Sequence, residues 1–193
     1  MRLAILDSGH RLATKVLFAL IRAFSGQPVL DVIKLVRYRA DFYGGPMSKV
    51  THEAMRGASA WSVGDRELMA ALVAKTNECA WCTQAHTAVA NGAYRDAARV
   101  SAVLADLETA PIEEPLRATL RWLCKSTREQ AVHPEDVRAV LAAGASRQQI
   151  EDALAVRFAL DVTGRLADAF GFVQPPPEAF EAGAKYLLAR GYR

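Results

Sequence analysis

The chain has 193 residues, 51% of them hydrophobic, with a formal charge of +3. That length suits one compact domain, and that apolar share excludes a chain disordered throughout. Lysine and arginine are scattered, with no basic run and no interleaved aromatics, so no nucleic-acid partner is expected. The three cysteines are few and unevenly paired for a disulfide-framed secreted domain. A cytoplasmic protein with reduced thiols is expected.

Residues 3 to about 24 read as one amphipathic helix, with Leu3, Leu6, Leu17, Leu20, Ile21 and Phe24 on a shared face. Asp7, His10, Arg11, Lys15 and Arg22 interrupt it too often for a signal peptide or a membrane span, so no membrane partner is expected. Gly26 and Pro28 close it, and a second helical stretch runs over 28–40. The sequence FYGGP at 42–46 predicts a turn, because paired glycines before a proline disfavour helix continuation. A short helix over 47–56 ends at Gly57.

Ser62, with Asp65 three residues on, caps a helix running to about Asn77. Past its first turn this helix is almost wholly apolar from Leu68 to Ala74, the pattern of a helix buried on all sides. Cys79 begins the next helix, which Asn91 and Gly92 are expected to end. Further helices are predicted over 94–107, 112–128 and 133–144. A long one runs from the Ser146–Gln149 capping box to about Phe170, and a last one spans 178–190 after the PPP break at 175–177. Strand alternation, a phosphate-binding glycine loop and internal repeats are all lacking. The chain reads as all-α, a single domain over 1–193 with eight or nine helices.

The chemistry concentrates between Glu67 and His86. On one helix Cys79, Cys82 and His86 fall at i, i+3 and i+7, a single face. Peroxide and disulfide chemistry needs a thiolate, and a free thiol ionises only near pH ~8.5. A helix N-terminus, a nearby histidine and a glutamate that orients that histidine all favour the thiolate. An attacked oxidant leaves a sulfenic acid, the second thiol condenses with it, and an external dithiol or disulfide reductase resets the pair. Cys82 lies nearer His86 in register, and Cys79 has the better helix-terminus position. Zinc is the competing use of a CxxC, with His86 as a third ligand and His52 or Cys124 as a fourth. A second CxxC or HxxxH pair is absent, and no metal or other cofactor is expected. Trp81 reads as a packing residue or pocket wall, and Cys124 as a small core residue. A third use of the cluster is acid–base catalysis by Glu67 and His86 without the thiols.

The spacing Glu-x11-Cys-x2-Cys-x3-His, here Glu67, Cys79, Cys82 and His86, resembles that of AhpD-like alkylhydroperoxidases of the carboxymuconolactone decarboxylase superfamily. The flanks MRGASAWSVGDRELMAALVAKTNECAWCTQAHTAVANG and VHPEDVRAVLAAGASRQQIEDALAVRFALDVTGRLADAFG resemble the family as well. The likeness covers about 45–172, leaving an N-terminal helical extension over 1–44 and a C-terminal helix over 178–190. It implies an AhpD-like helical bundle that forms a homo-oligomer and reduces hydroperoxides without a cofactor. It implies Cys82 as the attacking thiol, Cys79 as the resolving one, and His86 and Glu67 as proton relay. Trp81 departs from the family pattern, standing where the best-known alkylhydroperoxidase has a histidine. The decarboxylase branch lacks the CxxC pair, which sets ring-lactone decarboxylation aside.

Overall fold

A computed structural model describes residues 1–192, and they form an all-helical architecture. Three N-terminal helices, α1 (Ile5–Ser8), α2 (Leu12–Ser25) and α3 (Asp31–Tyr38), lead through a π-turn at Ala40–Gly44 into α4 (Gly45–Arg56). The central pair is α5 (Val63–Thr76) and α6 (Ala80–Tyr94). After it come α7 (Ala97–Ala105), α8 (Glu114–Glu129), α9 (Pro134–Ala142), α10 (Arg147–Phe170) and α11 (Pro177–Arg190). Among the described residues there are thus eleven α-helices, more than the eight or nine expected.

Part of the difference arises at the N-terminus. The single helix expected over 3–24 is broken at Gly9 and His10. His10 turns inward, its Nε2 2.8 Å from the Leu6 carbonyl and its ring edge-on to Phe18 at 4.8 Å. The expected common face is also rearranged. Leu6 and Phe18 are buried, whereas Leu20 and Phe24 lie exposed. The turn expected at 42–46 is helical instead, because Pro46 sits in the first turn of α4, where its missing N–H has no helical partner to lose. Gly44 allows the π-turn to close, since a Cβ there would lie 2.0 Å from the Val36 carbonyl oxygen.

α5 is the axis of the molecule. It packs on α6, α10, α8 and α4, and every residue from Arg66 to Ala74 is buried. Its start is fixed by the capping box in which Ser62 and Asp65 satisfy each other's backbone N–H groups. The same box begins α10 at Ser146 and Gln149. Gly64 lets α6 come close. A Cβ there would lie 2.7 Å from the Tyr94 ring, whose hydroxyl donates to Asp65. α6 runs past the expected stop at Asn91 and Gly92 to Tyr94, and Arg95 supplies the left-handed residue beyond its end. Among the described residues, thirty buried apolar ones form one core around α5. No helix among the described residues is long and apolar enough to cross a membrane.

Candidate active site

Between α5 and α6 the chain reverses over Asn77 and Glu78, with Glu78 in the left-handed region at φ 59°. Asn77 pins the reversal by donating its side-chain amide to Asp161 on α10 at 2.9 Å. The resulting antiparallel pair brings Glu67 against His86. It also makes Cys79 the N-cap of α6 rather than a residue within it.

The two sulfurs lie 2.7 Å apart and both are buried. Cys79 Sγ accepts from the backbone N–H of Cys82 at 3.4 Å, as an N-cap oxygen would. The contact from Cys82, joined by that N–H, holds the Cys79 thiol below its ordinary range despite burial. Cys82 is pushed the other way, by its bond to Cys79, by burial and by the charge it faces there. Of the two thiols, the surroundings favour ionisation of Cys79 over Cys82. Trp81 packs edge-on against Phe172 and Phe180, at 5.3 and 5.4 Å between centroids, as a wall residue.

Glu67 is fully buried. An ionised carboxylate inside a protein needs donors, and three side chains supply them. Nδ1 of His86 lies 2.7 Å from Oε2. A guanidinium nitrogen of Arg56 lies 2.8 Å from Oε1. The Tyr192 hydroxyl donates to both oxygens, at 2.9 and 3.1 Å. Burial alone would raise the Glu67 carboxyl, but His86 and Arg56 outweigh it and hold it below its ordinary value of 4.5. Burial and the Glu67 charge push the Tyr192 phenol well above 10, so it remains a donor. A carboxylate only accepts, so the proton between Glu67 and His86 sits on Nδ1, and Nε2 is left for other partners.

Each residue singled out in sequence has a definite place. Glu67 and His86 are paired, Cys79 and Cys82 are paired, and His86 follows Cys82 by one helical turn. His52 lies apart from the thiols, its Nδ1 accepting from the Tyr192 backbone N–H at 3.3 Å. Cys124 is a buried core thiol on α8 that accepts from the Thr76 hydroxyl at 3.4 Å. Among the described residues no group of three or more histidine, cysteine or acidic side chains is placed to hold a metal ion. Arg56 and Tyr192 were not singled out in the sequence. Tyr192 is 125 residues from its partner Glu67, and no spacing rule links them.

No family model matches the chain, and no curated protein matches it. Solved structures do. An uncharacterized peroxidase-related protein from Silicibacter sp. TM1040 is 22% identical, with a TM-score of 0.77 over 93% of each chain. A structure described as alkylhydroperoxidase AhpD core, an uncharacterized peroxidase-related protein from Ralstonia eutropha JMP134, is 18% identical, with a TM-score of 0.74 over 91% of this chain and 92% of that one. At such identities the likeness is one of architecture, and the chain has the AhpD-like fold.

Proposed function

We propose that this protein is a thiol-dependent peroxidase that reduces hydroperoxides through Cys79 and Cys82. The observation that carries the reading is the buried dithiol one helical turn from a histidine whose other nitrogen is fixed on Glu67. The peroxidase-related names of the structural neighbours favour the same class. In the first step a thiolate attacks the peroxide oxygen. The S–O bond forms, the O–O bond breaks, and the leaving alkoxide takes a proton to become an alcohol. In the second step the other thiolate attacks the sulfenic sulfur, an S–S bond forms, the S–O bond breaks, and the departing hydroxide takes a proton to leave as water. An external dithiol or disulfide reductase then returns two electrons by exchange. The acid–base work falls to His86 with Glu67, and no cofactor takes part.

The family resemblance makes Cys82 the attacker and Cys79 the resolver. The cap geometry supports a second order. Cys79 accepts from the backbone N–H of Cys82 and is the thiol whose ionisation its surroundings favour, whereas those of Cys82 oppose it, so attack by Cys79 is the easier first step on this geometry. Leu12, Val16, Leu20 and Phe24 form an exposed apolar stripe on α2, which supports a homo-oligomer in which a second copy covers it. The need for a dithiol reductant favours a reducing compartment, the cytoplasm.

The test is hydroperoxide turnover with a dithiol reductant, together with trapping of sulfenic acid in Cys79→Ser and Cys82→Ser. Either substitution is expected to lower turnover at least ~100-fold, since both sulfurs act in one cycle. The variant that still forms a sulfenic acid retains the attacking cysteine. Turnover that survives loss of both thiols would overturn the proposal and leave Glu67 and His86 as an acid–base pair.

A further inference from the structure

The family resemblance implies Glu67 as a member of a proton relay, and its surroundings argue for a different part. Both carboxylate oxygens are occupied. Oε1 takes Arg56 and Tyr192, and Oε2 takes His86 and Tyr192. A proton arriving on Glu67 would set an O–H against donors already aimed at the same lone pairs. The donors are themselves held. Arg56 donates to the Met55 carbonyl at 2.8 Å and the Leu187 carbonyl at 3.3 Å, and its guanidinium lies over the Tyr192 ring at 5.1 Å. The Tyr192 ring also runs nearly parallel to that of His86, at 22° and 6.5 Å between centroids. Gly191, at φ 70° and against His52, aims the tyrosine inward from the end of α11.

We propose that Glu67 is a fixed counter-charge, clamped by Arg56 and Tyr192 as positioning residues, so that of the Glu67–His86 pair only the imidazole carries protons. The inference rests on the peroxidase reading only for which proton is moved. In that cycle the proton lost by a cysteine goes to Nε2, and from Nε2 to the departing alkoxide. Glu67 keeps its charge throughout, which stabilises the imidazolium that forms between the two transfers. Tyr192 weakens that pull, because its hydroxyl takes part of the carboxylate's acceptor capacity. The other charged or titratable groups facing this cluster are Arg66 on α5, His52 on α4 and the dithiol on α6, with Asp168 on α10 beside the dithiol.

The experiment uses the full chain and the variants Tyr192→Phe and Arg56→Gln. Tyr192→Phe removes one hydroxyl and leaves the ring in place. The acid limb of hydroperoxide-driven disulfide formation should move upward by about half a pH unit in Tyr192→Phe and by about one in Arg56→Gln. Independently of activity, the nitrogen resonances of the His86 ring should keep the Nδ1–H form and shift in Tyr192→Phe. The Glu67 carboxyl carbon of the unmodified protein should show no titration between about pH 5 and about pH 9. If Arg56→Gln does not fold, Tyr192→Phe carries the test alone. A Glu67 carboxyl that titrates near neutrality, or His86 signals and an acid limb unchanged in Tyr192→Phe, would overturn the proposal. A protein that consumes no hydroperoxide yet gives the expected resonances would sink the peroxidase reading and leave the counter-charge standing. Normal turnover with unchanged resonances in Tyr192→Phe would do the reverse.

Discussion

Helices α2 and α5 are both fourteen residues long, and they are used in opposite ways. α2 is the more apolar of the two by sequence, yet Phe18 is its only buried residue. Leu12, Val16, Leu20 and Phe24, each one turn from the next, are 78, 52, 48 and 89% exposed. α5 carries Arg66 and Glu67 and buries both. Apolar content alone therefore does not decide what lies inside. α5 is enclosed because four other helices pack on it, and its buried charge is tolerated because Arg56, His86 and Tyr192 answer it. α2 has no such enclosure, and a contiguous apolar stripe of that kind marks a surface meant to be covered.

The contrast breaks most visibly at Glu67. Glu67→Gln leaves the Arg56 guanidinium, only 11% exposed, without its counter-charge. A loss of roughly 3–5 kcal/mol of stability is expected in urea unfolding. The pH dependence follows from the depressed Glu67 carboxyl. Its stabilisation is fully present above the ordinary value of 4.5, and it is lost as pH falls through the lower folded value. Glu67→Gln should therefore close most of its stability gap to the unmodified protein in acid. A gap that stayed constant down to about pH 2 would mean that the charge of Glu67 is not what stabilises the fold.

Leu68→Ala in α5 and Leu12→Ala in α2 delete the same atoms from the two settings. The first should cost about 2–5 kcal/mol and the second less than about 0.5 kcal/mol, both read by thermal or urea unfolding of dilute protein. Equal losses would show that α2 is enclosed in solution even at low concentration. The smallest effect on the fold is expected from Phe24→Ser, within about 0.5 kcal/mol. The same change should weaken self-association in sedimentation, and unaltered sedimentation would remove α2 from the oligomer interface.

The sequence makes the local parts of this site legible and the distant parts not. The Ser62–Asp65 and Ser146–Gln149 boxes are four-residue patterns, and both helices begin where those patterns lie. Glu67, Cys79, Cys82 and His86 fall within twenty residues on two consecutive helices, so their spacing carries geometric information. Arg56 and Tyr192 reach the same carboxylate through the packing of α4 on α5 and α11 on α6, which no local periodicity encodes. The break at Gly9 and His10 escapes for a similar reason, since the ring of His10 is held by Phe18 and Tyr38. The FYGGP segment misleads because its glycines and proline are all compatible with the start of a helix, and only neighbours such as Val36 decide between turn and helix.

Gly64 has a consequence for how this chain can vary. A methyl group there would strike the Tyr94 ring, and the ring cannot swing clear without releasing Asp65, which caps the same helix. One missing carbon thus sets the gauge between the helix that carries Glu67 and the helix that carries His86. A larger residue at position 64 therefore requires position 94 to shift or to change with it, which couples the two sites.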